Sequence, residues 1–275
     1  MSEVNQQERA ARAWPLLIRL AENRGTTTYK GLGQQLGIHH RAIRFVLAVI
    51  QEFCLTEKLP PITILVIGQA GLPGSGFIAW DVDDLDQGFD LVYNYPWSDL
   101  DNPFGFAADG STVESLADEV FRHVLTPKEA YSRVKVRGMA QLVFRAALLK
   151  AYGGRCALSK VFSPDLLEAA HIIPWSRAQA DQRVNPRNGI LLSTIHHRFF
   201  DLGWLRITDD YTITADLTKT KADSFERQLL IEIDGSKLRL PSDTRHWPDP
   251  EFIRQRNKET QQVETQQPLS AALFT

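Results

Sequence analysis

The sequence predicts an α+β protein of 275 residues, in which a helix-rich N-terminal domain precedes a C-terminal domain built on two strands and a helix. Three observations support this fold class. Residues 8–80 carry helical patterns followed by apolar strand-like runs, residues 81–126 are acidic and contain Gly and Pro, and residues 127–257 contain a strand–loop–strand–helix pattern. The remaining residues, 258–275, are rich in Gln and Thr, and we expect them to form a flexible tail.

The N-terminal domain begins with an amphipathic helix in WPLLIRLAENRG, which ends at Gly25. The run TTTYKGLGQQLG supplies a threonine cap and a short helix that closes at Gly37. A longer helix in HHRAIRFVLAVIQEFCLTEKLPP stops at Pro60 and Pro61. The apolar runs ITILVIG and SGFIAW predict strands. Two helices around a tight turn, with strands behind them, describe a winged helix-turn-helix.

Modules of this kind place their second helix in the major groove of double-stranded DNA. The N-terminal turn of that helix would present four basic side chains, His39, His40, Arg41 and Arg44. We predict that Arg41 and Arg44 contact DNA. The alternative is a helical bundle used only for packing or for dimerisation. In the case of dimerisation the protein would be a homodimer.

The run TTYKGLGQQLGIHHRAIRFVL, followed by GLPGSGF, resembles the DNA-binding domain of the O6-alkylguanine alkyltransferases. The reactive Cys-His-Arg run of that family is expected near ITILVIGQAG and is absent from this sequence, which excludes alkyl transfer. The resemblance therefore implies DNA binding alone, with Arg41 approaching a base.

Charge is distributed unevenly along a chain whose net charge is only −2. Residues 81–121 contain eleven Asp or Glu and no Lys or Arg, which favours a solvated, partly irregular connector. Residues 131–160 contain seven Lys or Arg and no acid. We predict that Arg137, Arg145 and Arg155 in this basic segment neutralise DNA phosphates, and a solvated helix face is the alternative.

A histidine and an aspartate in the C-terminal half have the spacing of a metal-binding pair. His197 and Asp201 are four residues apart in a run without Pro or Gly, so on a helix their Cβ atoms would lie about 5–6 Å apart on one face. They could then bind one divalent cation. Upstream, LLEAAHII predicts a strand that ends before Pro174, and ILLS predicts a second strand directly before the helix.

Two further polar residues complete a centre that could hydrolyse a phosphodiester. Such a reaction needs a base for the attacking water, charge neutralisation at the phosphate and help for the leaving oxygen. His171, at the end of the first predicted strand, is assigned as the general base because a neutral imidazole accepts a proton near physiological pH. Asn188 does not ionise, so we expect it to bridge loop backbone groups and to orient His171.

These residues resemble the motif of the HNH endonucleases, whose fold is called ββα-metal. The matching runs are AHIIP, NPRNG and HHRFFD, and a wider similarity covers residues 130–257. His197 is favoured over its neighbour because an aspartate follows it by four, whereas Phe200 follows His196 by four. The resemblance implies a base at His171, a metal ligand at His197, a divalent ion such as Mg²⁺ or Mn²⁺, and double-stranded DNA as substrate.

One position departs from the HNH pattern. Many family members carry an Asp or His directly before the base as a further metal ligand, and here that residue is Ala170. Glu168 lies two residues earlier on the same side of an extended strand and is the substitute that we predict. It could instead bind an arginine or the substrate region. A DNA-binding regulator with a catalytically idle HNH domain is therefore the competing hypothesis to a restriction or defence endonuclease.

Composition and cysteine content limit the cellular compartment that we expect for this protein. The two cysteines, Cys54 and Cys156, are far apart and form no CxxC pair, so a disulfide scaffold and a four-cysteine zinc site are not expected. The N-terminus is polar and mixed in charge, which argues against a signal peptide. Because no apolar run approaches the length of a membrane span, we expect a cytoplasmic protein without membrane contact.

Overall fold

Residues 4–266 are described by the computed structural model of the chain, with side chains up to residue 260. The chain divides into two units. Unit 1 contains the chain up to Leu116 together with Arg133–Ala140, and unit 2 contains Ala117–Ser132 together with the chain from Gln141 onward. Helices and strands are both present, as the predicted α+β class requires.

Unit 1 is built around a cluster of aromatic side chains. Its first three helices are α1 (Gln6–Glu22), α2 (Tyr29–Leu36) and α3 (Ile43–Thr56). Trp14 of α1 is buried and makes edge-to-face contacts with Phe53 of α3 at a centroid distance of 5.8 Å. The core of this unit therefore rests on α1 and α3, whose apolar faces meet at these rings.

The two helices of the predicted helix-turn-helix have the expected termini. The Thr28 hydroxyl accepts a hydrogen bond from the backbone N–H of Gly31, which caps α2. Gly37 ends the helix in the left-handed conformation with φ of +68°. A short 3₁₀ turn, His40–Ala42, then leads into α3. Both caps were predicted from sequence, and the structure confirms them.

The two strands predicted in ITILVIG and SGFIAW are not formed over the predicted lengths. Ile62–Leu65 forms a buried 3₁₀ turn, and only β2 (Val66–Ile67) is extended, in parallel pairing with β1 (Thr27–Thr28). Residues 75–80, all within the described part of the chain, form turns and bends instead of a strand. An apolar run of this length does not distinguish a buried turn from a strand. A winged helix is therefore not confirmed.

The acidic segment 81–126 contributes to packing as well as to the surface. It contains α4 (Leu85–Asn94) and α5 (Val113–Phe121). Trp97 and Phe104, which follow α4, are buried against Trp14 at centroid distances of 5.8 Å and 5.9 Å. The aspartates of α4 and of the loop before it are exposed. The segment differs from the solvated connector that we predicted, because its aromatic residues fill the core of unit 1.

Unit 2 holds the predicted strand–strand–helix arrangement. Strands β3 (Leu167–His171) and β4 (Gly189–Ser193) pair antiparallel, and α8 (Thr194–Asp201) begins directly after β4. Their register places Leu167 opposite Ser193 and His171 opposite Gly189. The core beneath them includes Ala170, Ile190, Leu192 and Phe200. The predicted order of elements is confirmed.

Further helices and a second strand pair belong wholly or in part to this unit. The bounds are as follows: α6 Pro127–Val134, α7 Arg137–Ala151, β5 Leu205–Ile207, β6 Ile213–Ala215, α9 Phe225–Ile233 and α10 Pro250–Gln266. Strands β5 and β6 pair antiparallel.

The predicted flexible tail, 258–275, overlaps the last helix. Because α10 continues to Gln266, residues 258–266 are helical, and residues 267–275 lie outside the described residues. Both cysteines are buried free thiols. No helix in residues 4–266 has the length and apolarity needed to cross a membrane.

Gly189 allows a close approach of helix α7 to the strand pair. A Cβ atom there would lie 2.5 Å from the Phe144 ring and 2.6 Å from Leu148 of α7. We expect Gly189→Ala to lower the free energy of unfolding by about 1–3 kcal/mol, since a methyl group would overpack this contact.

The matched control is Gly105→Ala, because the nearest atom to a Cβ at Gly105 is 3.9 Å away. That variant should change the free energy of unfolding by less than about 0.5 kcal/mol. Urea denaturation followed by circular dichroism measures both. Equal effects of the two substitutions would contradict the close approach at Gly189.

Candidate active site

His171 ends strand β3 with its imidazole held from two sides. Its ring stacks on Phe144 at a centroid distance of 3.8 Å and an interplanar angle of 16°. Its Nε2–H donates a hydrogen bond of 2.9 Å to the backbone carbonyl of Arg183. A carbonyl oxygen only accepts, so this bond assigns the proton of the neutral ring to Nε2 and the lone pair to Nδ1. Nδ1 is therefore the atom that could accept a proton from water.

Arg183 is itself fixed, so the carbonyl that orients His171 is well positioned. Its Nε–H donates to the carbonyl of Ala178 at 3.1 Å, and its guanidinium donates to the Tyr131 hydroxyl. The same guanidinium lies over the Trp175 ring, 5.0 Å from the centroid. Sequence reasoning missed this residue because it lies in a long loop without periodicity.

Asn188 holds the loop between β3 and β4 through buried hydrogen bonds. It is fully buried, and its Oδ1 accepts a hydrogen bond from the N–H of Ile173 at 2.8 Å. Its Nδ2 donates to the carbonyls of Ile173 and Gln182, both at 3.2 Å. The amide thus ties the segment after His171 to the segment that carries Arg183. Removing it would leave buried backbone groups unpaired, which fits the geometric role predicted from sequence.

His197 lies between two carboxylates. Its Nδ1–H donates to Glu168 of β3, and its Nε2 lies 3.3 Å from Oδ2 of Asp201, one turn later on α8. Its neighbour His196 is buried instead, with Nδ1 2.7 Å from the Ser193 hydroxyl. The structure therefore brings His197, Asp201 and Glu168 together, and it places His196 in the core.

The His197–Asp201 pair fits a divalent cation, whereas Glu168 does not complete a set of three ligands. With its proton on Nδ1, His197 directs the Nε2 lone pair at a carboxylate oxygen, and these two atoms repel unless a cation or a proton lies between them. Two ligand bonds of about 2.1 Å at right angles span about 3 Å, close to the observed separation. Glu168 binds the opposite nitrogen of the same ring.

Glu168 as a metal ligand stays a prediction, and the contact that the structure shows for its carboxylate is with the Nδ1–H of His197. Among the residues that the structure describes, no three His, Cys, Asp or Glu side chains form a group that could hold a metal ion. A carboxylate that accepts from the second nitrogen of a metal-binding histidine orients that histidine and raises its basicity. Ala170 supplies no metal ligand, because its side chain is a methyl group that is fully buried in the core.

Arg256 of α10 fixes the other oxygen of Asp201, and sequence reasoning missed it. Its Nη2 lies 3.6 Å from Oδ1 of Asp201 and donates to the carbonyl of Phe200 at 2.7 Å. Its Nη1 donates to the carbonyl of Ile172, directly after His171, at 3.1 Å. Burial lowers the pKa of Arg256, and Asp201 opposes this. One buried guanidinium thus connects the end of β3 with the end of α8.

Cys156 anchors the junction between β4 and α8. Its Sγ accepts hydrogen bonds from the backbone N–H of Ser193 at 3.2 Å and of Leu158 at 3.4 Å. The neighbouring Ala157 N–H donates to the carbonyl of Leu191 at 2.8 Å. These contacts hold the chain before His196 and His197 in place, so this cysteine has a structural role.

The five arginines predicted to bind DNA do not belong to one unit. Arg41, Arg44 and Arg137 are exposed in unit 1, and Arg155 is exposed in unit 2. Arg145 differs from our prediction. It is partly buried, and its guanidinium donates to the backbone carbonyls of Leu167 and, at 2.7 Å, of Pro164. These bonds support the start of β3, which makes Arg145 a structural residue.

Comparison with known proteins agrees with this arrangement. No curated protein matches the chain. Residues 156–208 match the model of a protein family described as HNH endonuclease, and the matched segment contains His171, Asn188, His197 and Asp201. The resemblance to the HNH endonucleases inferred from sequence is therefore confirmed for residues 156–208, in the C-terminal half of the chain.

Proposed function

We propose that the chain is a metal-dependent DNA endonuclease of a restriction or defence type, which hydrolyses phosphodiester bonds and reads DNA through a separate domain. The observation that carries the proposal is the pairing of His197 Nε2 with Asp201 Oδ2, 3.3 Å apart, on a helix that packs against the strand ending in His171. The match of residues 156–208 to the HNH endonucleases supports a nuclease that acts on nucleic acid.

His171 is the proposed general base. Its Nδ1 lone pair takes a proton from the attacking water, while the Nε2–H bond to the Arg183 carbonyl keeps the ring in the tautomer that can do so. Stacking on Phe144 restricts rotation of the His171 ring. Asn188 acts on the same residue indirectly, because it holds the loop that carries Arg183.

His197 and Asp201 are the residues that would hold the divalent ion, Mg²⁺ or Mn²⁺. When bound, such an ion supplies positive charge to the scissile phosphate and to the leaving oxygen. The protein's contribution is orientation. Glu168 holds the His197 ring through Nδ1, and Arg256 holds Asp201 through Oδ1, so that one imidazole nitrogen and one carboxylate oxygen face each other.

The proposed substrate is double-stranded DNA. Arg41 and Arg44 are exposed at the start of α3, where the second helix of a helix-turn-helix would present them to base edges. Arg137 and Arg155 are exposed and can contact phosphates without regard to sequence. Because such contacts release counterions, we expect binding to weaken steeply as salt increases.

A second candidate is a DNA-binding regulator whose HNH domain is catalytically idle. The observation that favours it is the buried Ala170, which supplies no ligand at the position where many HNH enzymes carry an Asp or His. Incubating supercoiled plasmid with the protein, in Mg²⁺ or Mn²⁺ and in EDTA, separates the two. Nicking or linearisation that requires the metal supports the endonuclease, and binding without cleavage under all these conditions supports the regulator.

We expect His171→Ala to reduce the rate of plasmid cleavage by a factor of about 10²–10⁴, since that is the usual effect of removing a general base. Affinity for DNA and for Mn²⁺ should stay near the wild-type values, because a general base accepts a proton without holding the phosphate or the cation. The matched control is His123→Ala, an exposed histidine of unit 2 whose ring stacks on His246. Wild-type turnover in His171→Ala would reject the assignment.

Conservative substitutions of the two carboxylates should separate a ligand from an orienting residue. Asp201→Asn removes a charged ligand, so we expect Mn²⁺ affinity to fall by at least the roughly 10–100-fold that loss of a ligand-orienting residue costs, and cleavage to recover partly at high Mn²⁺. Glu168→Gln keeps an oxygen that can accept from His197 Nδ1–H, so its affinity should stay within a few-fold of wild type.

Isothermal titration with Mn²⁺ and the metal dependence of plasmid cleavage measure both effects. Glu168→Ala completes the series, and we expect it to bind Mn²⁺ more weakly than Glu168→Gln. The reverse order, with Glu168→Gln as the more damaging change, would make Glu168 the ligand and Asp201 the accessory residue.

A further inference from the structure

Unit 1 contains a cavity of about 920 Å³ that lies between the N-terminal half of α3 and the segment around residues 74–77. Pockets of roughly 300–1,000 Å³ hold ligands of the size of a nucleotide. The side chains that matter for its chemistry are Tyr29, Arg41, Arg44, Phe45 and Phe77. We refer to this feature as the unit 1 cavity.

The charge of the unit 1 cavity favours an anionic ligand. Arg41 and Arg44 are exposed at its edge, and no Asp or Glu occurs among the described residues that line it. This is unusual in a chain whose net charge is −2. Two guanidinium groups on successive turns of the chain can bind a phosphate through charge-assisted hydrogen bonds.

The aromatic side chains of the unit 1 cavity favour a planar ligand. Phe45 is 48% exposed, and the guanidinium of Arg44 lies 4.6 Å from its ring centroid. Tyr29 and Phe77 supply further rings to the walls. Aromatic faces next to cationic groups are the arrangement on which unpaired bases stack in proteins that bind single strands.

Thr63 also lines the unit 1 cavity and is only 4% exposed. Its hydroxyl oxygen is enclosed by protein atoms, and it has no hydrogen-bond partner within the part of the chain that is described. A ligand in the cavity would therefore meet the cationic and aromatic side chains and not this hydroxyl.

Internal hydrogen bonds hold the wall of the unit 1 cavity in place. The Gln51 side chain donates to the carbonyl of Gly76 at 3.2 Å and accepts from the N–H of Ile78 at 3.1 Å. The Tyr29 hydroxyl accepts from the N–H of Gly74 at 3.2 Å. The cavity is thus preformed rather than a gap between loose segments, which reduces the entropy lost when a ligand binds.

We propose that the unit 1 cavity binds one unstacked nucleotide, with its base against Phe45 and its phosphate at Arg41 and Arg44. The ligand is either an unpaired nucleotide within a DNA strand or a free mononucleotide, since both present the same chemistry. The first case deepens the proposed function, and rests on it, by naming DNA with an unpaired base as the preferred target.

The test measures binding by the full-length protein with His171→Ala in place, so that cleavage does not remove the probe. One probe is a short duplex with a single unpaired 2-aminopurine, and the second is the same duplex fully paired. A third arm uses free deoxynucleoside monophosphates as competitors. We expect the unpaired probe to bind more tightly than the paired one, with quenching of 2-aminopurine fluorescence as the base stacks on Phe45.

Three variants assign the contacts. Phe45→Ala should weaken binding of the unpaired probe by about 5–150-fold, the range for loss of one stacking contact. Arg44→Gln removes the charge at the proposed phosphate position, so it should weaken binding of the unpaired probe and reduce the dependence of binding on salt. Phe162→Ala, an aromatic that is 75% exposed in unit 2, is the matched control and should bind like the parent.

Each outcome decides the proposal. Competition by free mononucleotides that is lost in Phe45→Ala and Arg44→Gln supports the cavity as a site for free nucleotides, and preference for the unpaired duplex alone supports a site for the substrate strand. Equal binding of both duplexes without competition overturns the proposal. Metal-dependent plasmid nicking is scored separately in the parent protein, so failure of the cavity proposal is distinguishable from failure of the nuclease proposal.

Discussion

The antiparallel pairing of β3 with β4 is the constraint on which the candidate site depends. Its register sets His171 opposite Gly189 and directs Ala170 into the core. A slip of one residue would exchange the two faces of the strand and would turn apolar side chains outward. Because α8 starts at the residue after β4, the same register also decides where His197 lies relative to Glu168. Gly189 keeps this arrangement compact, since Phe144, on which His171 stacks, occupies the space of its missing side chain.

Within that frame, each proposed catalytic group is oriented by a residue from another part of the chain. A backbone carbonyl in the long loop selects the tautomer of His171, and a carboxylate on β3 selects that of His197. A buried guanidinium on α10 holds Asp201 and the backbone that follows His171. These supporting groups are buried or half-buried, where hydrogen bonds are stronger than in water and an unpaired group is costly. The geometry of the site therefore depends on the integrity of the whole unit 2 core.

The two units carry different chemistry. Unit 2 contains the histidines and carboxylates that we propose for hydrolysis, whereas unit 1 contains the exposed arginines and the aromatic cavity that we propose for recognition of nucleic acid. The net charge of the chain conceals this division, because the acidic residues of the segment 81–126 offset the arginines. That segment keeps its aspartates in solvent while its aromatic rings pack around Trp14, so it stabilises the unit to which the arginines belong.

The sequence by itself determined the features that depend on neighbours within one element. Thr28 and Gly37 marked the ends of α2, and the spacing of four between His197 and Asp201 placed both on one face of α8, because capping and helical periodicity act over a few residues. Only the tertiary structure decided that Glu168 orients His197 and that Arg256 holds Asp201. These contacts join residues 29 and 55 positions apart, and no local pattern records which donor will meet which acceptor across such distances. The same limit explains the strands wrongly predicted behind α3, since burial on all sides makes an apolar turn and an apolar strand alike in sequence.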